Sequence, residues 1–381
     1  MKFLVLGSGL MGKALALDLT RSEDVSRVTL ADADGARLEA VSRELHSHKL
    51  QTRTLDVQKY ADVVDCMRGH DCAIGAISYR YNVSLSGAAI ESGIHFCDLG
   101  GNDEVVAEQR TLDGSAKKRG ILVLPNCGLA PGMANILAAR GAERFDSLNS
   151  IRIRVGGLPQ HPVPPLNYQL VFSVEGLVNE YTGSSVILRH GARTKVDAMT
   201  EVEEIAFPEP FGTLEAFHTS GGTSLLPSMF EGKVGALDYK TIRYPGHCEK
   251  FRTLLELGFA SNEPISVGPN VLTEREIFFE LLRRKLPGGQ PDVVLVRVTI
   301  DGMMSDKSRH LQYDLIDYYD DSDNITAMMR TTAYPTSVIA QLVVAGTITQ
   351  RGVLTPEQCV PLAPFLAGLA HRKVFVVETV S

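Results

Sequence analysis

The sequence predicts an α/β fold in which a Rossmann-type, doubly wound parallel sheet is joined to a second α+β domain built on a mostly antiparallel sheet. In the first 125 residues, short apolar strands alternate with helical segments, a pattern typical of parallel sheets with right-handed crossovers. Helices become sparser after Pro125, and the segments 293–300 and 310–318 alternate apolar and polar residues on either side of a Gly-containing turn. This second pattern predicts a hairpin in an antiparallel sheet.

Each predicted element has the periodicity of its type: strands are short apolar or alternating runs, and helices repeat their apolar residues every three or four positions. For the first domain the strands are 2–6, 28–31, 51–56, 72–77, 95–99 and 121–125, and the helices are 11–20, 37–46, 62–68, 83–91 and 105–118. For the second domain the strands are 151–155, 186–188, 202–207, 293–300 and 310–318, and the helices are 168–181, 248–257 and 273–286. The tail adds the helices 336–348, entered at Pro335, and 361–372.

The length of 381 residues suits two domains. The two apolar tail helices have no partner close by in the sequence, so we expect them to return to the first domain. That domain then comprises residues 1–130 and 331–381. Residues 131–330 form the predicted substrate and catalytic domain, whose antiparallel sheet also suits pairing in a homodimer or a higher homo-oligomer.

Composition and charge exclude several classes of function. The formal net charge is -7 at pH 7, so the chain has no general positive field to attract nucleic acid or an anionic membrane. No apolar run reaches the roughly 18 residues of a membrane span, and we expect a cytoplasmic protein. The 6 cysteines show neither a CxxC pair nor zinc-ligand spacing, which predicts reduced, mostly buried thiols and no metal site.

The segment GSGLMG follows a predicted strand and opens a predicted helix. In that context Gly7 permits the tight turn, Gly9 lets a pyrophosphate approach the backbone, and Gly12 lets the helix pack closely on the strand. The first N–H groups of the helix, at Leu10 and Met11, face the phosphates together with the positive end of the helix dipole. The motif therefore predicts a dinucleotide-binding site.

Asp32 lies twenty residues beyond Gly12, at the end of the second predicted strand. A carboxylate there accepts hydrogen bonds from a ribose 2′-hydroxyl and repels a 2′-phosphate, so NAD is favoured over NADP. Arg37 lies nearby, but its place in the following helix predicts a surface position. Asp56, which ends the third strand, is expected either to face the adenine or to serve as a helix-capping or turn residue.

Ligands of doubly wound sheets bind beyond the carboxyl ends of the strands. Several segments of this sequence follow such strand ends, and we expect them to surround the nicotinamide and the substrate. The predicted cofactor contacts are Ile77, Ser78, Leu129, Ala130 and Pro131, and the predicted substrate contacts are Tyr79 and Asp98.

These motifs resemble those of the saccharopine dehydrogenase-like oxidoreductases. The resemblance includes GSGLMG, AISYRYN, ESGIHFCDLGG and CGLAPG, and it continues through GTLEAFHTSGG (212–222) and KTIRYPGH (240–247) into the tail. It implies a discontinuous Rossmann domain, NAD or NADP as the cofactor, and oxidation at a carbon that bears nitrogen. It also implies that the turn 129–131 and Arg243 approach the cofactor and the substrate.

One segment departs from the family pattern. At HTSGG (218–222), the saccharopine reductases of the family tend to carry a second arginine for a substrate carboxylate, and this sequence has none there. A substrate with three carboxylates is harder to hold without it, so a smaller amino acid such as lysine is favoured. The expected reaction is the NAD-dependent oxidative deamination of the lysine side-chain amine. The alternatives are a saccharopine or carboxyspermidine-type reaction at a secondary amine, and a sensor that binds NAD without turnover.

The residues of KTIRYPGH also suggest the chemistry. Arg243 suits a bidentate grip on the substrate α-carboxylate, with a structural salt bridge as the alternative. Lys240 or His247 is expected to accept protons, with a helix cap as the alternative for His247. Tyr244 lies between them as a further catalytic candidate. Glu175, on the predicted helix that precedes this segment, is expected to line the substrate pocket.

Overall fold

The computed structural model describes residues 1–286 and 288–381. Its strands are, in chain order, β1 (Lys2–Leu6), β2 (Arg27–Asp32), β3 (Leu50–Thr54), β4 (Cys72–Gly75), β5 (His95–Asp98), β6 (Leu122–Leu124), β7 (Ser147–Pro159), β8 (Ser184–Arg189), β9 (Ala192–Asp197), β10 (Glu203–Phe207), β11 (Gly212–Phe217), β12 (Val234–Arg243), β13 (Pro264–Val267), β14 (Asn270–Thr273), β15 (Asp292–Met304), β16 (Lys307–Tyr318), β17 (Gly352–Val353) and β18 (Val377–Val380).

Its α-helices are α1 (Leu10–Arg21), α2 (Gly35–Leu45), α3 (Tyr60–Met67), α4 (Asn82–Ser92), α5 (Asp103–Arg110), α6 (Asp113–Arg119), α7 (Met133–Ala142), α8 (Val174–Tyr181), α9 (Leu226–Phe230), α10 (His247–Glu256), α11 (Glu274–Lys285), α12 (Ala327–Val344), α13 (Pro356–Cys359) and α14 (Leu362–His371). A short 3-10 turn spans Tyr79–Tyr81.

The described residues divide into two compact units, and the first contains residues 1–140 and 329–376. Its parallel sheet has the strand order β17–β6–β5–β4–β1–β2–β3. The central strands β1 and β4 are buried almost throughout, as is usual for parallel strands covered on both faces. The order of the strands reverses between β1 and β4, and such a switch point is where doubly wound sheets bind ligands.

The second unit contains residues 141–328 and 377–381. Its mixed sheet has the strand order β10–β11–β12–β7–β15–β16–β18, and the hairpin β8–β9 joins it at β12. Strands β7 and β12 pair in parallel, whereas the other pairs along this order are antiparallel. The hairpin predicted after residue 293 is confirmed as β15 and β16. The predicted fold class is therefore confirmed.

The helix predicted over 336–348 differs from the observed one. Helix α12 begins at Ala327, so Pro335 lies inside it rather than at its entrance. Proline removes one backbone donor, but much of this helix is buried, and packing of that kind supplies most of the stability of helices in proteins. Tertiary packing here outweighs the preference of proline for the first turn of a helix.

The boundaries of the units also differ from the predicted domain limits. The first unit extends to Arg140 and resumes at Met329, and residues 377–381 belong to the second unit because β18 pairs with β16. The predicted helix 168–181 begins only at Val174, where the hydroxyl of Ser173 caps it. Among the helices of the described ranges, none is both long enough and apolar enough to cross a membrane.

Candidate functional site

The glycines of the motif at the end of β1 have different surroundings. A Cβ on Gly12 would lie 1.8 Å from the carbonyl oxygen of Gly7, and a Cβ on Gly7 would lie 2.5 Å from that of Ala76. Gly7 also has a φ of +105°, which disfavours any other residue. Gly9, in contrast, would place its Cβ in open space with no atom within 4 Å. This space, at the N-terminus of α1, fits the approach of a pyrophosphate to the backbone.

Asp32 is bound to the same turn. One of its carboxylate oxygens accepts the backbone N–H of Ser8 at 2.7 Å and the Ser8 hydroxyl at 2.8 Å, and the other accepts the N–H of Asp34 at 2.9 Å. Burial works to raise the pKa of Asp32, but these hydrogen bonds and the charge of Arg37 outweigh it and hold the pKa below its usual value. The ionised carboxylate keeps about one lone-pair site for a ribose hydroxyl.

Two cavities adjoin this turn and the end of β3. One, of about 350 Å³, is lined by Ser8, Gly9, Leu10, Lys13 and Arg37. The other, of about 370 Å³, is lined by Ala33, Arg53, Thr54, Leu55, Asp56, Lys59 and Asp62. Asp56 lines the second cavity and accepts the N–H of Gln58 at 3.0 Å, as a turn aspartate does, whereas the next helix, α3, has no side-chain cap. The contact of Asp56 with the adenine stays a prediction.

The remaining strand ends of the first unit carry the other predicted cofactor contacts. Ser78 is exposed, Ile77, Met11, Ala130 and Pro131 are partly buried, and Leu129 is buried. Helix α12 holds the loop that contains Leu129, because the hydroxyl of Thr336 donates to the carbonyl of Cys127 at 2.8 Å. The roles predicted for these residues stay predictions.

Tyr79 and Asp98 lie at neighbouring strand ends but differ in accessibility. Tyr79 is partly buried, and a Cβ on Gly101 would lie 3.3 Å from its ring. Asp98 is fully buried, and its two oxygens accept the N–H of Gly100 at 2.8 Å and the side-chain amide of Gln109 at 2.7 Å. Burial raises the pKa of Asp98 to about 6. The structure does not support the predicted substrate contact of Asp98, because its carboxyl group orders the loop after β5 instead.

In the second unit, Arg243 is only 2% exposed at the end of β12. Its Nε donates to the hydroxyl of Tyr181 at 2.7 Å, and Nη1 donates to the carbonyl of Ile242 at 2.9 Å. The guanidinium carbon lies 4.8 Å from the centre of the Tyr168 ring. No carboxylate of the described residues lies within 4.0 Å of this guanidinium. The structural salt bridge that was the alternative for Arg243 is therefore not observed.

Tyr181 links Arg243 to His247. The imidazole Nδ1 lies 2.9 Å from the carbonyl of Leu166, and Nε2 lies 3.1 Å from the Tyr181 hydroxyl. A carbonyl only accepts, so we assign the proton to Nδ1, and Nε2 then accepts from Tyr181. Burial and the charge of Arg243 lower the pKa of His247 to about 3. The prediction that His247 exchanges protons near neutral pH is not supported.

Lys240 and Tyr244 have partners of their own. The Lys240 ammonium donates to the Glu203 carboxylate at 2.8 Å and to the carbonyl of Glu201 at 2.6 Å. Glu203 also pairs with Arg154 at 2.5 Å, so Lys240 belongs to a buried ion-pair network. The Tyr244 hydroxyl donates to the carbonyl of Pro159 at 3.0 Å. These contacts favour structural roles over the predicted catalytic ones.

Helix α8 carries two glutamates, and the structure distinguishes them. Glu175 is exposed and pairs with Arg283, so the structure does not support the prediction that it lines the substrate pocket. Glu180 is partly buried, and burial raises its pKa to about 7 against the opposing charge of Arg243. Nearby, the buried hydroxyl of Tyr168 has no hydrogen-bond partner among the described residues. Arg243, Tyr181, His247, Tyr168 and Glu180 form one cluster. The sequence motifs did not reveal Tyr168 and Glu180.

Comparison with known protein families agrees with this arrangement. The model of the saccharopine dehydrogenase NADP binding domain matches residues 3–124, and that of the saccharopine dehydrogenase C-terminal domain matches residues 128–374. The chain belongs to the saccharopine dehydrogenase family. The resemblance inferred from its motifs is thereby confirmed.

Relatives within the saccharopine dehydrogenase family are distant. The saccharopine dehydrogenase (NADP(+), L-glutamate-forming) of Schizosaccharomyces pombe is 24% identical over 264 residues, which cover 67% of this chain and 57% of that protein. The carboxyaminopropylagmatine dehydrogenase of Synechocystis sp. is 22% identical over 216 residues, 54% of each chain. This member of the family thus spans little more than half the length of these curated relatives.

Solved structures show the same fold. The apo saccharopine dehydrogenase (L-Glu forming) from Saccharomyces cerevisiae matches with a TM-score of 0.80 at 19% identity, covering 100% of this chain and 99% of that one. At this identity the match demonstrates the saccharopine dehydrogenase fold of the chain, and its activity has to be argued from its own residues.

Proposed function

We propose that this chain catalyses the oxidative deamination of the side-chain amine of L-lysine, with NAD as the hydride acceptor. The reaction releases ammonia and leaves a semialdehyde that cyclises with its own α-amine. The single observation that carries the proposal is the buried guanidinium of Arg243, which lacks an anionic partner among the described residues. A buried cation without a counterion is costly, and a substrate carboxylate would supply the missing charge.

The number of such guanidinium groups limits the substrate. The buried arginines of the described second unit are Arg154 and Arg243, and Arg154 is bound by Asp238 at 2.7 Å and by Glu203 at 2.5 Å. The loop 218–222 contains neither arginine nor lysine, and its His218 already contacts the Glu201 carboxylate at 3.2 Å. The backbone N–H of Ser220 donates to the carbonyl of Glu180 at 2.9 Å. One available guanidinium suits a substrate with one carboxylate, such as lysine, better than saccharopine with three.

The oxidation has an energetic requirement that a buried site can meet. Hydride leaves the carbon readily only when the nitrogen is neutral, and holding a lysine amine neutral at pH 7 costs about 4–5 kcal/mol. A partly apolar environment beside a cation lowers the pKa of that amine, because both effects disfavour the ammonium form. The aromatic rings of Tyr168, Tyr181 and Phe251 together with Arg243 provide such an environment.

The choice of NAD rests on Asp32. Its ionised carboxylate suits a ribose 2′-hydroxyl and repels a 2′-phosphate. Lys13 and Arg37 line the adjoining cavity and would favour a phosphate, but Arg37 is also paired with Asp34 at 3.6 Å. When bound, the dinucleotide supplies the oxidising power, and the chain supplies the phosphate cradle at Gly9 and the ribose contact at Asp32.

Purified protein tests the proposal when it is incubated with L-lysine and either NAD or NADP. We expect reduced cofactor to accumulate with NAD and ammonia to appear in equal amount. Turnover of saccharopine but not of lysine would contradict the lysine assignment and would leave only a secondary-amine reaction. Several named relatives of the chain favour that second candidate, and it predicts reduced cofactor without free ammonia.

A further inference from the structure

We propose that Glu180 accepts the proton that the substrate ammonium loses before hydride transfer, an inference that rests on the proposed amine oxidation. Glu180 lies in the last turn of α8, next to Tyr181, which contacts Arg243. The residue that would hold the substrate carboxylate and the residue that would receive the amine proton thus belong to one cluster.

A hydrogen bond holds the backbone of Glu180, whereas its carboxyl group makes no hydrogen bond with the described residues. The N–H of Ser220 donates to the Glu180 carbonyl at 2.9 Å, and the Ser220 hydroxyl donates to the carbonyl of Asn179 at 2.8 Å. The loop that departs from the family pattern therefore packs directly on the end of α8. Within the described ranges, the Glu180 carboxyl group has neither a hydrogen bond nor an ion pair, although the residue is partly buried.

Burial and the neighbouring charge of Arg243 together determine the pKa of the Glu180 carboxyl group. Burial raises the pKa of this carboxyl to about 7, and the charge of Arg243 opposes that rise. The other titratable groups that interact with it are phenols: Tyr168, whose pKa burial raises to about 12, and Tyr181 and Tyr239, whose pKa values burial also raises. These phenols stay protonated near pH 7, so Glu180 is the group among them whose charge changes near that pH.

The two bases expected from the sequence are less suited to this step. The Lys240 ammonium is already bound by Glu203, and the Nε2 lone pair of His247 accepts the Tyr181 hydroxyl. With a pKa of about 3, His247 is too weak a base to draw a proton from an amine. Glu180 has an unoccupied carboxyl group, and its pKa of about 7 lies above that of His247.

The ionised Glu180 carboxylate takes one proton from the substrate R–CH2–NH3+, which becomes R–CH2–NH2. Hydride then passes from that carbon to the oxidised nicotinamide, the nitrogen lone pair forms the C=N bond, and the product is R–CH=NH2+. Water adds to the C=N carbon and the nitrogen leaves as ammonium, NH4+, which yields the aldehyde R–CHO. Glu180 returns its proton to solvent after the cycle.

The variant Glu180→Gln tests this role, and Glu175→Gln on the exposed side of the same helix is the matched control. We expect kcat/KM of the wild-type protein to rise as pH increases through about 7, and we expect Glu180→Gln to abolish that rise and to lower kcat by about 100-fold or more, as for loss of a general base. Glu175→Gln should keep the wild-type rate and pH profile. In Glu180→Ala, added formate should restore part of the activity.

Cofactor titration and circular dichroism establish whether Glu180→Gln remains folded. A folded Glu180→Gln protein with the wild-type rate and pH profile would overturn the assignment of Glu180 while leaving the proposed oxidation intact. If wild-type protein oxidises no amine with either cofactor, the proposed function itself is wrong. The two failures are thus distinguishable, because one concerns the variant and the other the wild-type protein.

Discussion

Arg154 and Arg243 are both buried in the second unit, and among the described residues only Arg154 has anionic partners. The substitution Arg154→Met should destabilise the protein by roughly 3 kcal/mol, the lower end of the cost of breaking a buried pair, because Glu203 and Asp238 remain partly exposed. Arg243→Met should change the stability by no more than about 1 kcal/mol, since no carboxylate of the described residues lies within 4.0 Å of the guanidinium that it removes.

The same two substitutions, Arg154→Met and Arg243→Met, distinguish an effect on folding from an effect on function. Arg243→Met should raise the KM for lysine by roughly 100-fold, as expected for the loss of about 3 kcal/mol of charge-assisted hydrogen bonding. Denaturant unfolding and steady-state kinetics on both variants measure the two effects. If Arg243→Met proves as destabilising as Arg154→Met, then Arg243 is part of the folded framework and does not await a substrate carboxylate.

Only some of the residues of the site could be predicted from the sequence. Arg243 was found because a motif marks it, but Glu175 was the only glutamate of α8 that was predicted to line the pocket, and Glu180 was missed. Both glutamates flank the apolar face of α8, one on each side, so the helical period alone cannot tell which of them faces the cluster. Asp98 was placed correctly at the end of β5, yet its turn inward to Gln109 depends on a tertiary contact.

The turn between β1 and α1 allows a matched test at the scale of one element. Gly9→Ala should leave the stability within about 1 kcal/mol, because Gly9 has an ordinary φ of -70° and open space at the Cβ position. It should weaken NAD binding at least tenfold, roughly 1.4 kcal/mol, because the methyl group occupies the space for the pyrophosphate. Calorimetric titration with NAD measures this loss.

Gly12→Ala is the counterpart of that variant. Its Cβ would lie 1.8 Å from the Gly7 carbonyl, so α1 must shift, and we expect a loss of roughly 3 kcal/mol of stability. Thermal unfolding of both variants shows which of them loses stability, and so distinguishes a loss of stability from a loss of NAD binding. Undiminished NAD affinity in Gly9→Ala would show that the phosphates do not approach this turn.

Elements with a strong apolar period were predictable, and exposed or partner-dependent ones were not. The alternation of strands and helices identified the parallel sheet, and the hairpin β15–β16 was visible in its alternating residues. Strand β9 was missed because most of its residues are exposed, so it lacks an apolar period and forms by pairing with β8. The parallel pairing of β7 with β12 inside an otherwise antiparallel order carries no local signal either.

For the whole molecule, the return of the tail to the first unit was predictable, because two apolar helices lacked a local partner. The exact boundaries of the tail segment that joins the first unit were not predictable. Strand β17 extends the parallel sheet at β6, whereas β18 joins the other sheet, and both are too short to show a period. Self-association of the chain stays a prediction, as the structure describes one chain.

Two C-terminal deletions test how the first unit depends on the tail. Removal of residues 377–381 takes away β18, whose residues are exposed, and we expect the stability and NAD binding to stay close to wild type. Removal of residues 329–381 also takes away β17 and most of α12. It breaks the Thr336 contact to Cys127 and the ion pair of Arg372 with Asp18, whose side chains are 13% and 8% exposed.

The longer deletion should therefore abolish NAD binding and the cooperative unfolding of the first unit, since it uncovers the edge of β6 and the buried face of α1. Far-UV circular dichroism during heating and a dinucleotide titration measure both properties on the two deletion variants. A longer deletion that still binds NAD would mean that residues 1–140 form the cradle without the tail. The discontinuous arrangement would then be unnecessary for cofactor binding.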